Sequence, residues 1–132
     1  MKLLRRTLRW QAALWAVSGA VLLVAPGWLV ETALDQPPLG EDAWLRVTGV
    51  LAIAMAAQMV LVGHRVEELW WWSWTFVFLE VATAAVFLTN ALVGLPEGAA
   101  AWPWWALALV NGALGAAQVV GLARAGTERS PS

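Results

Sequence analysis

The sequence predicts an all-α protein, a four-helix transmembrane bundle, and three observations carry that prediction. Long apolar runs dominate a chain whose 132 residues are 61% hydrophobic and 13% charged, far from the balance of a soluble domain. The charged residues are segregated by connection. The tryptophans, eleven in all, gather near the ends of the runs.

Four apolar runs are read, at about 10–27, 43–63, 69–90 and 102–123. Each is close to the ~20 residues that a helix needs to cross a bilayer. The first is closed by Pro26-Gly27, the expected stop for a helix. The fourth opens near Trp102-Pro103, where proline suits a first helical turn. Basic residues precede the first run, as in a secretory leader, but Val-Ala-Pro-Gly-Trp follows it where a small-x-small cleavage site would stand. Retention in the membrane is therefore expected. Residues 1–125 read as one membrane domain and 126–132 as a disordered cytoplasmic tail.

Orientation follows from the charges. Lys2, Arg5, Arg6 and Arg9 stand before the first run, Arg65 in the second connection, and Arg124 and Arg129 after the last. Glu31, Asp35, Glu41 and Asp42 fill the first connection, and Glu97 is the only charge in the third. The positive-inside rule then places both termini and the His64 loop in the cytoplasm, an N-in/C-in topology. The tryptophans agree: Trp10 and the Trp70, Trp71, Trp72, Trp74 group fall at one side, and Trp28, Trp44, Trp102, Trp104 and Trp105 at the other. Indole rings favour such an interfacial belt. Only Trp15 lies clearly inside a run. After the first run, Val30, Ala33 and Leu34 alternate with Glu31, Thr32 and Asp35 as in a short interfacial helix.

Composition narrows the chemistry. With no cysteine and one histidine, His64, the chain offers no thiolate chemistry and no multi-histidine metal site. No catalytic order of residues and no phosphate-cradling glycine loop is present, so neither catalytic residues nor a cofactor are expected. No nucleic-acid partner is expected either. Seven arginines against one lysine, with abundant Ala, Gly, Val and Leu, point to a GC-rich coding sequence and a bacterial inner membrane.

Glu80 is the residue that any functional reading must address. It lies ten residues after Trp70 and ten before Asn90, so a helix puts it ~15 Å from either end of its run. That is the middle of a hydrocarbon layer ~30 Å thick, where an acidic group costs about 2.5–3.5 kcal/mol. Ser73, Glu80, Thr83 and Asn90 share one helical face, and Asn111 and Gln118 share another in the fourth run. Depth matches Asn111 to Glu80 and Gln58 to Gln118. Arg46 can reach inward to Glu80 or outward to water, where Asp42 stands four residues earlier. Candidate ligand or proton-site residues are therefore Glu80, Asn111, Arg46, Thr83, Gln118 and Gln58. Glu80 itself reads as a neutral structural group, a proton or cation site, or an anchor for the polar head of a lipid-like ligand.

Small residues mark where helices approach: Ala12, Ala16, Gly19 and Ala20, then Gly49, Ala52 and Ala56, then Gly112, Gly115 and Ala116. Packing within the chain is favoured, with a homodimer as the alternative use of such a face.

The four-run layout and the phrase Trp44-Leu45-Arg46-Val47-Thr48-Gly49-Val50-Leu51 resemble the small bacterial DoxX-like membrane proteins. That resemblance implies an Arg and a Gly opening the second span, and a place beside membrane oxidoreductase assemblies in some members. The function expected is a non-enzymatic membrane protein, an accessory subunit or an apolar-ligand-binding bundle. Its partners would be the bilayer, another membrane protein or a second copy, or a lipid-like ligand. A proton-coupled small-molecule transporter using Glu80 is the alternative.

Overall fold

The computed structural model describes residues 1–128. All regular structure among them is helical: α1 (Lys2–Val24), α2 (Ala43–His64), the single turn α3 (Val66–Leu69), α4 (Ser73–Thr89) and α5 (Trp102–Glu128). Four helical stretches are long and apolar enough to cross a membrane, namely Lys2–Val24, Ala43–His64, Val66–Gly94 and Trp102–Thr127. The third is continuous only when α3, a 3-10 turn at Trp70–Trp72 and a π turn at Asn90–Gly94 are counted with α4.

Several boundaries differ from those the sequence predicts. α1 begins at Lys2 and carries the basic residues on the helix itself. It breaks at Ala25, whose φ of −139° and ψ of 60° leave the helical region. Pro26 then opens a new turn instead of closing the old one, because a missing N–H is no loss in a first turn, and the chain winds on as a π helix over Trp28–Ala33. Over residues 30–35 Val30, Ala33 and Leu34 are half-buried while Glu31, Thr32 and Asp35 are exposed, the two-sided pattern of the sequence there. α5 continues through Gly126, Thr127 and Glu128, into the segment read as tail. The remainder of that segment, 129–132, lies outside the described residues.

The long helices do not pack equally. α1 lies against α2 along its length, α4 against α5, and α1 against α5, whereas α2 and α4 do not run side by side. An Arg46–Glu80 pair would need α2 and α4 side by side, and they are not. The buried apolar core lies at the end where the basic residues gather. Leu4, Leu8 and Ala12 of α1 meet Ala56, Met59 and Val62 of α2, Val66 of α3, Phe76 and Val77 of α4, and Leu122 of α5.

Glycines set the closest approaches. A Cβ at Gly19 would stand 2.6 Å from the Gly49 carbonyl oxygen, and one at Gly49 would stand 2.6 Å from that of Gly19. At the other end, a Cβ on Gly121 would be 3.1 Å from the Leu4 Cα. Gly115 lets α5 pass over Glu80, with 3.4 Å between its virtual Cβ and the glutamate Cβ. Gly112, expected in the contact face, has open space where a side chain would go.

Two arginines tie off helix ends. Arg5 donates from Nε to the Gly63 carbonyl at 3.2 Å and from Nη2 to Glu67 at 2.6 Å. Arg46 donates from Nη1 to the Leu23 carbonyl at 2.6 Å and lies 3.5 Å from Asp42. Each satisfies a carbonyl that a helix C-terminus leaves without an intrahelical partner. At the same end as Arg46, Trp104 Nε1 donates to Gln36 Oε1 at 3.1 Å, and Gln36 Nε2 donates to the Ala100 carbonyl at 2.9 Å. The first and third connections are thereby joined.

Candidate functional site

The site is a polar cluster closed inside the bundle. Gln11 of α1, Glu80 of α4 and Gln118 of α5 are each 0% exposed. Gln11 is the hub. Its Nε2 donates to Glu80 Oε1 at 3.2 Å and to Gln118 Oε1 at 2.7 Å. Trp15, one helical turn further along α1, donates from Nε1 to the same Glu80 oxygen at 2.9 Å. Residues four apart share a helix face, so Gln11 and Trp15 present both donors to one acceptor. Three helices that are separate in sequence are joined by side chains of one small group.

The carboxyl is held by neutral donors. Both hydrogen bonds fall on Oε1, and no ion pair to Glu80 is present among the described residues. Buried atoms are left over: Gln11 Oε1, Glu80 Oε2, Gln118 Nε2 and Ser73 Oγ make no hydrogen bond. An acceptor, a carboxyl oxygen and an amide donor thus remain within one cluster, which can accommodate either form of the acid or a bridging water.

Of the expected site residues, the structure brings Glu80 and Gln118 together and leaves the others apart. Asn111 is buried, but its Nδ2 donates to the Leu107 carbonyl of its own helix at 2.8 Å. The reason lies in side-chain direction. Helical side chains tilt toward the N-terminus of their helix. α4 and α5 run in opposite directions, so Glu80 leans toward the Gln118 level and Gln118 leans back toward it, while Asn111 leans away. Arg46 obeys the same rule: it tilts toward the start of α2 and ends on Leu23 and Asp42, far from a role as counter-ion to Glu80. Gln58 is exposed on the outer surface of α2, between the buried Ala56 and Met59. Thr83 is half-buried one turn beyond Glu80.

Gln11 and Trp15 are the members that sequence reasoning missed. Gln11 follows Trp10 directly at the start of the first apolar run, where a polar residue reads as interfacial. Trp15 did carry a signal. It is the one tryptophan deep inside a run, and a buried indole N–H needs an acceptor.

The arrangement contains no nucleophile–base pair, and no group of three or more His, Cys, Asp or Glu that could hold a metal ion occurs among the described residues. What it can do is fix the relative height and rotation of α1, α4 and α5. Helix packing in lipid gains from such interhelical hydrogen bonds, at about 0.6–2 kcal/mol each.

Fold and cluster together define a multi-pass helical bundle with a polar centre. No family model matches the chain, and neither a curated protein nor a solved structure matches it.

Proposed function

We propose that this chain is a non-enzymatic integral membrane protein, an accessory subunit or a binder of a lipid-like ligand, with both termini cytoplasmic. One observation carries the reading: the polar group at the bundle's centre is closed. A carboxylate that couples ion movement to transport has to face a water-filled cavity at some stage, and Glu80 is wholly buried, roofed by Trp15 and joined to Gln11. The outside of the bundle is the part available to other molecules. It is rich in exposed Val, Leu, Phe and Trp side chains such as Val50, Leu61, Phe78, Val86 and Leu109, a surface suited to lipid and to other helices.

The basic residues at one end of the bundle and the acidic first connection at the other support the N-in/C-in orientation. The stretch Trp28–Ala33, apolar on one side and acidic on the other, fits a place at the outer membrane surface. A bacterial inner membrane and kinship with DoxX-like proteins belong to this same proposal.

Proton-coupled transport is the second reading, and the unpartnered Glu80 Oε2 is the observation in its favour. The experiment that separates the two is proton uptake into proteoliposomes, followed with a trapped pH-sensitive dye. Our reading expects no uptake above empty vesicles for the wild type. Uptake by the wild type that Glu80→Gln abolishes would establish transport in its place.

A further inference from the structure

Between α1 and α2, on the outer face of the bundle, lies an open furrow of about 420 Å³. Ala13 and Ala16 form one wall, Ile53, Ala57 and Val60 the other, and Arg9 stands at its mouth. Its origin is physical. The Gly19–Gly49 crossing holds the two helices close, and the alanines that line the furrow carry no side chain long enough to fill it.

We infer that this furrow seats an acyl chain of an anionic phospholipid, with the headgroup held by the basic stripe that leads into it. This deepens the proposed function, resting on the reading that the four helices span a bilayer. Lys2, Arg6, Arg9, Ala13 and Ala16 are spaced four, three, four and three apart along α1, which places them on one face. The three cations are exposed. Among the described residues none of them has a carboxylate partner, whereas Arg5, Arg46 and Arg65 pair with Glu67, Asp42 and Glu68. An unneutralised basic stripe thus continues directly into an apolar furrow, the charge order of an anionic lipid running from headgroup to chain.

Dimensions agree. Seven residues separate Arg9 from Ala16, and seven separate Val60 from Ile53, so the furrow is ~10 Å long. One leaflet's hydrocarbon is ~15 Å deep, half of a ~30 Å core. The furrow therefore takes most of a chain's length within one leaflet, and the flexible arginine at its mouth reaches the headgroup level. A second copy of this protein fits the site less well. A two-fold contact sets a surface patch against its own equivalent, which would bring two sets of Lys2, Arg6 and Arg9 together with no carboxylate between them.

Native mass spectrometry of the full-length protein tests the inference, using phosphatidylglycerol and phosphatidylcholine with identical chains as probes. The wild type is expected to retain phosphatidylglycerol in preference. Arg9→Gln should lower that preference about fivefold, the effect of one basic residue at an anionic surface. Ala57→Leu and Ala13→Leu, which fill the furrow and leave Arg9 in place, should lower phosphatidylglycerol retention as well. All three positions are exposed, so the variants should melt with the wild type, and either alanine variant suffices. Equal retention of the two lipids by the wild type would overturn the inference. So would undiminished phosphatidylglycerol retention in Arg9→Gln or in a folded alanine variant, and so would a dimer that the alanine variants dissolve without any change in bound lipid. Proton uptake tests the proposed function and does not depend on Arg9 or Ala57, so failure of one leaves the other standing.

Discussion

Gly19 and Gly49 face each other where α1 crosses α2, each so close to the other's carbonyl that a methyl group on either would stand 2.6 Å from that oxygen. Such contact uses backbone rather than side chains, the form of packing that works in lipid, where apolar side chains gain nothing by leaving solvent.

Gly19→Leu or Gly49→Leu should therefore force the helices apart and lower stability by at least about 1–3 kcal/mol, the usual cost of overpacking a close contact. Gly112→Leu is the control, because a side chain there enters open space. Thermal melts in one detergent check the contrast. Wild-type melting of the Gly49 variant would mean that the crossing is not where this structure places it.

The Gln11–Glu80 hydrogen bond should appear as a coupling energy. Gln11→Leu strands Gln118 Oε1 as well as removing a donor from Glu80, so it should destabilise by ~1–3 kcal/mol. A double-mutant cycle of Gln11→Leu and Glu80→Leu should then return a non-additive term of about 0.6–2 kcal/mol. Strict additivity would show that the two side chains do not meet.

Orientation is testable with cysteines, since the native chain has none. Gly40→Cys and Glu97→Cys should react with an impermeant thiol reagent added to intact cells, and His64→Cys should react only after lysis. Gly40 avoids disturbing Gln36, whose side chain joins the first connection to Ala100 and Trp104. Labelling of His64→Cys from outside would reverse the proposed topology.

Much of the fold was legible because lipid imposes a coarse grammar. Four runs of the right length gave four helices, and Gly19 and Gly49 were readable as contact residues because only small side chains permit such an approach. Gly112 was misplaced because residue type alone does not tell which side of a helix faces a neighbour; the buried positions around it are Asn111, Gly115 and Gln118, one residue before it and three and six after it. At the site, Glu80 was plain from its depth. Its partners were not, because matching by depth compares backbone positions, whereas the contacts are made at the tips of long side chains. Those tips lean by direction of travel, which brings Glu80 and Gln118 together on Gln11, leaves Asn111 out, and turns Arg46 toward Leu23 and Asp42. Gln11 was hidden for another reason. It is adjacent to an interfacial tryptophan in sequence, yet the bundle covers it completely.

The central claim is that Glu80 serves the bundle as a neutrally held hydrogen-bonding group, and the melting temperature of Glu80→Gln tests it most directly. Glutamine keeps the shape and an oxygen able to accept from both Gln11 and Trp15, so the variant should melt within a few degrees of the wild type. Glu80→Ala, measured alongside, should lose ~1–3 kcal/mol by stranding both donors. A fall for Glu80→Gln as large as that for Glu80→Ala would contradict the account, because it would mean that the bundle requires a charged carboxylate and a counter-ion that this cluster does not contain.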